Sequence, residues 1–287
     1  MTLVSRTFLI VAITLASITT FYAQQPVVTF AVIGDFGRAS EREKAVADLT
    51  HSFNPDAVIT VGDNNYEFGA EETIDKNIGQ YYSDYIFPYH GTYGKGAEKN
   101  KFFPSLGNHD WVAALAQPYL DYFSLPGNER YYDVVVGNVH LYAIDSDPHE
   151  PDGRDASSKQ ALWLKDELAK ETTRWKVVFF HHPPYCSGAE HGSDKVMQWP
   201  FKKWGANLIL TGHEHVYERL SEDDLTYIVN GIGGKSLYKF KDPIAQSLFR
   251  YNSNYGSLKI ESYSDKMIGK MYTIDNKVID EFVIQKP

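Results

Sequence analysis

The sequence of 287 residues contains a single cysteine, Cys186, so no internal disulfide can staple the chain. It holds no Asn-x-Ser/Thr sequon, and its surface is therefore not built for N-glycosylation. Basic residues are in deficit: 28 Lys and Arg stand against 37 Asp and Glu, a formal net charge of −9. That balance excludes the gathering of nucleic acid by a general positive field. Internal repeats, low-complexity stretches and long linkers are absent, and beyond the N-terminus no apolar run is long enough to span a bilayer.

What is there is the composition of a globular α/β domain, with 43% hydrophobic and 23% charged residues. Its 20 Tyr exceed what a core needs, since a phenol keeps a polar tip that favours edges and site walls. At the N-terminus Arg6 precedes an uncharged run over residues 7–23, followed by Gln24-Gln25. A positive residue, a short apolar stretch and a small residue at the cut predict a signal peptide over residues 1–23. A retained membrane anchor is the alternative, though Thr and Ser dilute the run and it is short for a span. Residues 26–287 then form one catalytic domain with no stable membrane anchor, secreted or periplasmic. The lone cysteine and missing sequons fit a bacterial exported protein.

Residues 27–34 are a largely apolar run that predicts a buried strand ending at Asp35. Ser40 follows as the N-cap of a helix reaching about Leu49. Residues 56–61 predict a second buried strand, residues 71–87 are partly helical, and residues 102–106 lead into Asn108. Gly137-Asn138 between residues 131–136 and 140–144 is a hairpin signal. Residues 157–170 space Ala161, Leu162, Leu164, Leu168 and Ala169 as an amphipathic helix. Strands over residues 176–180 and 207–210 deliver His181-His182 and then His213 and His215; further strands cover 226–229, 257–260, 270–274 and 278–283. The β-α-β alternation with a strand-rich end predicts an α/β fold of two packed mixed β-sheets flanked by helices.

Five short motifs follow successive strands: Gly34-Asp35-Phe36-Gly37, Gly62-Asp63-Asn64-Asn65-Tyr66, Gly107-Asn108-His109-Asp110, His181-His182-Pro183-Pro184-Tyr185 and Gly212-His213-Glu214-His215. Beyond the carboxyl ends of strands is where open α/β sheets bind ligands. Two metal ions held about 3.5–4 Å apart need a ligand that shares its charge between them. Asp63 is the natural bridge, Asp35 a terminal carboxylate, and Asn108 a neutral oxygen ligand. His213, His215 and one of His181 and His182 supply nitrogen. In an extended segment residues two apart point the same way, which would aim His213 and His215 together. Tyr66 discriminates between metals, because a phenol loses its proton at neutral pH only to a strongly acidic ion such as Fe(III).

The set GDFG, GDNNY, GNHD, HHPPY and GHEHVYER resembles the purple, or tartrate-resistant, acid phosphatases of the calcineurin-like metallophosphoesterases. The resemblance runs from Val27 to about Gly256. It implies a four-layer sandwich and a secreted acid phosphatase, hydrolysing phosphate monoesters by attack of a metal-activated hydroxide. It also implies a binuclear centre of Fe(III) with a divalent ion, whether Fe, Zn or Mn. The ferric site would be Asp35, Asp63, Tyr66 and His215, and the divalent site Asp63, Asn108, His181 and His213. The family's His-x-Pro pattern selects His181, whereas counting back from His191 favours His182. His109 and His191 would face the substrate as catalytic residues, and Asp110 would support an imidazole. Departures are clear: the separate N-terminal β-domain of the plant type and the paired cysteines of the mammalian type are missing.

Taken singly, each motif has a plainer meaning. Asp35, Asp63 and Asn108 suit turns, His181 suits a satisfied core position, and Tyr66 suits a site wall. Recurrence after successive strands with complementary ligand types is what favours a metal centre. By contrast, His51, His90, His140 and His149 read as surface or packing residues, Glu222-Asp223-Asp224 as a solvated turn, and Cys186 as a bystander. Tyr81, Tyr82, Tyr85 and Tyr89 suit edge packing more than a substrate groove. The expected partners are small phosphate esters, with no nucleic acid and no oligomeric state implied. A phosphodiesterase or nucleotide pyrophosphatase of the same superfamily, or a silent phosphate-binding protein, are the alternatives.

Overall fold

The computed structural model describes residues 25–286, so the expected signal or anchor over residues 1–23 lies outside the described residues. Six strands form one sheet: β1 (Val28–Ile33), β2 (Ala57–Thr60), β3 (Phe102–Pro104), β11 (Gly256–Ser262), β12 (Lys266–Thr273) and β13 (Val278–Gln285), in the order β13-β12-β11-β1-β2-β3. Seven form the other: β4 (Tyr132–Val136), β5 (Val139–Ala143), β6 (Trp175–Phe179), β7 (Leu208–Thr211), β8 (Tyr217–Glu222), β9 (Leu225–Asn230) and β10 (Ser247–Tyr251), in the order β10-β8-β9-β7-β6-β5-β4. Both sheets are mixed. β1, β2 and β3 run parallel, as do β5, β6, β7 and β9, while the remaining pairs are antiparallel.

Strand alternation explains why the predicted runs are largely apolar on both faces. Val177 and Phe179 enter the cluster between the sheets, whereas Val178 and Phe180 enter a second cluster with Leu164 and Leu168 of the helix Lys159–Lys170. The helix Glu41–Ser52 covers the other sheet through Val46 and Ala47, and Ser40 caps it by accepting the Glu43 N–H at 3.2 Å. The layers are therefore helix, sheet, sheet, helix. Strands β8 and β10 were not expected, because their polar, part-exposed sequences carry no apolar run.

Asp280 on β13 ties the two sheets together at one edge. It accepts from Tyr217 Oη at 2.9 Å and from Arg219 Nε at 2.7 Å and Nη2 at 3.0 Å, both on β8. Asp280→Ala would strand the buried Tyr217 hydroxyl and unpair Arg219. We expect a loss of about 3 kcal/mol in chemical denaturation. Asp280→Asn, which keeps an acceptor, should lose less than half of that.

No helix among the described residues is long and apolar enough to cross a membrane.

Candidate metal centre

All five motifs lie just beyond strand ends on one rim of the sandwich. Asp35 stands two residues past β1, Asp63 three past β2, Asn108 four past β3, His181 two past β6 and His213 two past β7. Three of these residues adopt the left-handed backbone region: Asp35 at φ 55°, Asp63 at 54° and His213 at 69°. Non-glycine residues take that conformation uncommonly, and such positions gather where a side chain has to be aimed. The glycines beside them admit close approach. A Cβ on Gly107 would lie 2.2 Å from Asp63 N and 2.3 Å from its Oδ1. The expectation that an extended segment aims His213 and His215 together is corrected. Residues 212–216 are a bend ahead of β8, and the turn at His213 brings both rings in.

Asp63 is the meeting point. On one side Tyr66 Oη donates to Asp63 Oδ2 at 2.7 Å and lies 3.3 Å from Asp35 Oδ1 and 3.2 Å from His215 Nε2. His215 Nε2 is in turn 3.3 Å from Asp35 Oδ1. On the other side His181 Nε2 lies 3.3 Å from Asp63 Oδ1, 3.1 Å from Asn108 Oδ1 and 3.2 Å from His213 Nδ1. The structure thus brings Asp35, Asp63, Tyr66, Asn108, His181, His213 and His215 together. Backbone N–H groups fix the carboxylates: His213 N–H donates to Asp35 Oδ2 and His109 N–H to Asp63 Oδ1, both at 3.0 Å. Of the adjacent histidines, His181 turns inward and His182 turns to Ser146 Oγ at 2.8 Å.

The donor chemistry fits metal ions. His181 Nδ1 faces the Val61 carbonyl at 2.8 Å, and a carbonyl only accepts, so Nδ1 carries a hydrogen and Nε2 is the atom turned to the centre. Its Nε2 then faces two oxygens and another ring nitrogen, a set of donors that a cation would hold together. Asp35, Asp63 and His181 alone form a group with one ligand atom each within 4.8 Å of one another, all buried. The electrostatics ask for positive charge as well. Burial opposes protonation of His181, yet Asp63 and Asp35 outweigh it and hold its pKa up at about 10. Burial works against ionisation of Asp63 too, but facing His181 holds its carboxyl well below the usual range. Burial, with Asp63 and Asp35, pushes the Tyr66 phenol well above its ordinary value. Only a strong cation beside the oxygen would release that proton.

His109 lies at the rim, with Nδ1 against the Glu67 carbonyl at 2.6 Å and Nε2 4.0 Å from Asp63 Oδ2. His191 is exposed and its ring lies on His213, centroids 4.1 Å apart. The role expected for Asp110 is corrected. Its buried carboxylate meets no imidazole; it accepts the N–H groups of Asn64, Asn65 and Gly107 and so locks two motif loops together. Burial and then Asp63 push its pKa up to about 6.

The histidines outside the motifs stay outside the centre. His51 bonds the Tyr81 carbonyl, His140 bonds Asp133, His149 bonds Asp147, and His90 is exposed. Cys186 is buried, and Glu222 ends β8 with Asp223-Asp224 forming the turn to β9. Tyr82 is fully buried against Phe36 and Phe102.

Sequence reading missed three neighbours. Tyr238 stacks on His215 at 4.0 Å and 8°, Ser236 Oγ bonds His215 Nδ1 at 2.6 Å, and Lys235 Nζ stands 4.4 Å from the Tyr66 ring centroid. They follow β9 and the glycines Gly231, Gly233 and Gly234, a run whose position after an apolar strand was the available signal.

Comparison with known proteins agrees with this arrangement. The calcineurin-like phosphoesterase family model matches residues 28–217. Purple acid phosphatase 17 of Arabidopsis thaliana is 27% identical over 241 residues, covering 73% of this chain and 69% of that protein. Purple acid phosphatase 15 of the same plant is 26% identical over 244 residues, but the chain spans only 44% of its length. Among solved structures, the purple acid phosphatase PPD1 of yellow lupin, Lupinus luteus, superposes with a TM-score of 0.73 at 16% identity, over 91% of this chain and 54% of that one. GAP50, the anchor in the inner membrane complex of Plasmodium, superposes at 0.72 and 19% identity, over 91% and 89%. At such identities the two superpositions speak for the fold alone. With the family match running from β1 past β7 and taking in all five motifs, the chain belongs to the calcineurin-like phosphoesterase family.

Proposed function

We propose that the protein is a secreted acid phosphatase that hydrolyses phosphate monoesters at a binuclear centre, Fe(III) paired with a divalent ion. The observation that carries this reading is the position of the Asp63 carboxylate between two sets of donors. Tyr66, Asp35 and His215 stand on its Oδ2 side and Asn108, His181 and His213 on its Oδ1 side. The names of the relatives support the same chemistry.

When bound, the metal pair would supply Lewis acidity toward a phosphate oxygen and an activated water as nucleophile. Asp35, Asp63, Tyr66 and His215 would hold the ferric ion, and Asp63, Asn108, His181 and His213 the divalent one. His109 keeps its Nδ1 hydrogen on the Glu67 carbonyl, so in its imidazolium form the Nε2–H would be the donor to a phosphoryl oxygen. The exposed ring of His191 would give a proton to the departing ester oxygen. Ser236 and Tyr238 keep His215 in register, as partners of metal-bound imidazoles do.

The test is optical. Phenolate bound to Fe(III) absorbs in the visible, so the purified protein should be purple and Tyr66→Phe colourless at equal iron content. Colour that survives this substitution would remove Tyr66 from the centre. Turnover of p-nitrophenyl phosphate should exceed that of its bis-ester; the reverse order would make the protein a diesterase.

A further inference from the structure

The His191 ring meets two other rings, His213 and, with centroids 6.0 Å apart, Tyr238. It is exposed and rests on His213, with planes 28° apart. Its hydrogen bond is made by the backbone: the His191 N–H donates to Glu214 Oε1 at 2.5 Å, and the Gly192 N–H donates to the same oxygen at 2.5 Å. Gly192, at φ 71°, turns the chain so that two successive N–H groups converge on one anion, as in an anion-binding nest.

Glu214 is an unexpected residue to find there. It is fully buried, and its second oxygen, Oε2, has no hydrogen-bond partner. An unpaired buried carboxylate oxygen is unfavourable, so packing alone would be better served by an apolar side chain. The loop closes over it from the other end as well. A Cβ on Gly188 would stand 2.2 Å from Glu214 Cδ and 2.5 Å from Oε2. The loop 188–192 is therefore moulded on this carboxylate, with Ala189 N–H anchored to the Lys239 carbonyl at 2.9 Å.

We infer that Glu214 is a positioning residue: its carboxylate gathers the loop N–H groups and so sets where the His191 ring stands over the divalent half of the centre. The inference rests on the proposed phosphatase reading. In the step it serves, the phosphorus–oxygen bond to the alcohol breaks and its electron pair stays on the ester oxygen. That oxygen takes a proton from His191. Phosphorus bonds the oxygen of water, whose proton restores His191 through solvent. Glu214 touches none of the reacting atoms and acts through the loop.

The dependence on His191 should be largest where the leaving oxygen most needs a proton, as in an alkyl phosphate, and small for p-nitrophenyl phosphate. Kinetics of His191→Ala, Glu214→Ala and the double variant on glycerol phosphate test this. Each single change should lower kcat on the order of a hundredfold, with KM little changed and both metals retained. The double variant should fall no further than His191→Ala. Glu214→Gln keeps a carbonyl acceptor and should restore most of the rate. Gly188→Ala, which displaces the carboxylate without touching it chemically, should reproduce part of the loss.

Additive losses in the double variant, or Glu214→Gln as slow as Glu214→Ala, would overturn the inference. In zinc-loaded, diamagnetic protein the ring protons of His191 should carry ring-current shifts from His213, lost in Glu214→Ala and kept in Glu214→Gln. Unchanged shifts in Glu214→Ala would refute positioning independently of any activity. Absence of turnover in the wild-type protein would instead defeat the phosphatase reading.

Discussion

Asp63→Asn is expected to lower kcat/KM for a phosphate monoester about a thousandfold or more. The Asp63 carboxylate is the one group facing both sets of donors, with Tyr66 Oη 2.7 Å from one oxygen and His181 Nε2 3.3 Å from the other. An amide offers one oxygen and no charge, so it cannot serve two cations at once. Metal ions in such centres contribute several kcal/mol of transition-state stabilisation, and about 4 kcal/mol corresponds to that thousandfold. The fold should survive, because the Asp110 lock on the loops does not pass through the Asp63 carboxylate. Elemental analysis should find the variant with fewer than two metal equivalents and an unchanged circular dichroism spectrum. A variant that keeps both metals and a tenth of the activity would show that Asp63 is not shared.

Gly62→Ala should also cost much of the activity, although it removes no functional group. Gly62 sits at φ 88°, and a Cβ there would lie 2.5 Å from His181 Nδ1 and 2.8 Å from its Cβ. The imidazole would have to leave the Val61 carbonyl, 2.8 Å from Nδ1, and carry Nε2 away from Asp63 and Asn108. Left-handed strain of about 1–2 kcal/mol adds to overpacking of about 1–3 kcal/mol, for a stability loss of roughly 2–5 kcal/mol. Misplacing a ligand by about an ångström should lower turnover on the order of a hundredfold. Gly127→Ala is the control. It has φ 64° but its nearest heavy atom would be 3.6 Å away, so it should show the strain without the loss of activity. Equal losses of activity in both variants would contradict the contact.

The parts of the molecule that could be read beforehand share a physical origin. Strands β1, β2, β6 and β7 are covered on both faces, so they are written as largely apolar runs and their ends are marked by the motifs. The choice between His181 and His182 was open because adjacent residues leave a strand on opposite faces, and only packing against Asp63 or Ser146 separates them. Asp110 was misread because a carboxylate next to a histidine looks like its partner, whereas the turn sends it back to three backbone N–H groups. The roles of Glu214, Ser236 and Tyr238 were not legible for a related reason, although the glycines after β9 mark that a loop of interest begins there. Their roles arise from loops that meet only after β9 joins β7.

The sandwich alone does not decide the activity, since chains with very different roles share it, as the likeness to the Plasmodium anchor illustrates. What bears on activity is the donor set on the rim, and above all the buried phenol beside two carboxylates.

Metal content and colour, measured together on the purified native protein, test that donor set most directly. Two metal equivalents per chain, one of them iron, with a broad visible band are expected. One equivalent or none, or iron without colour, would contradict a ferric ion held by Tyr66 and Asp63.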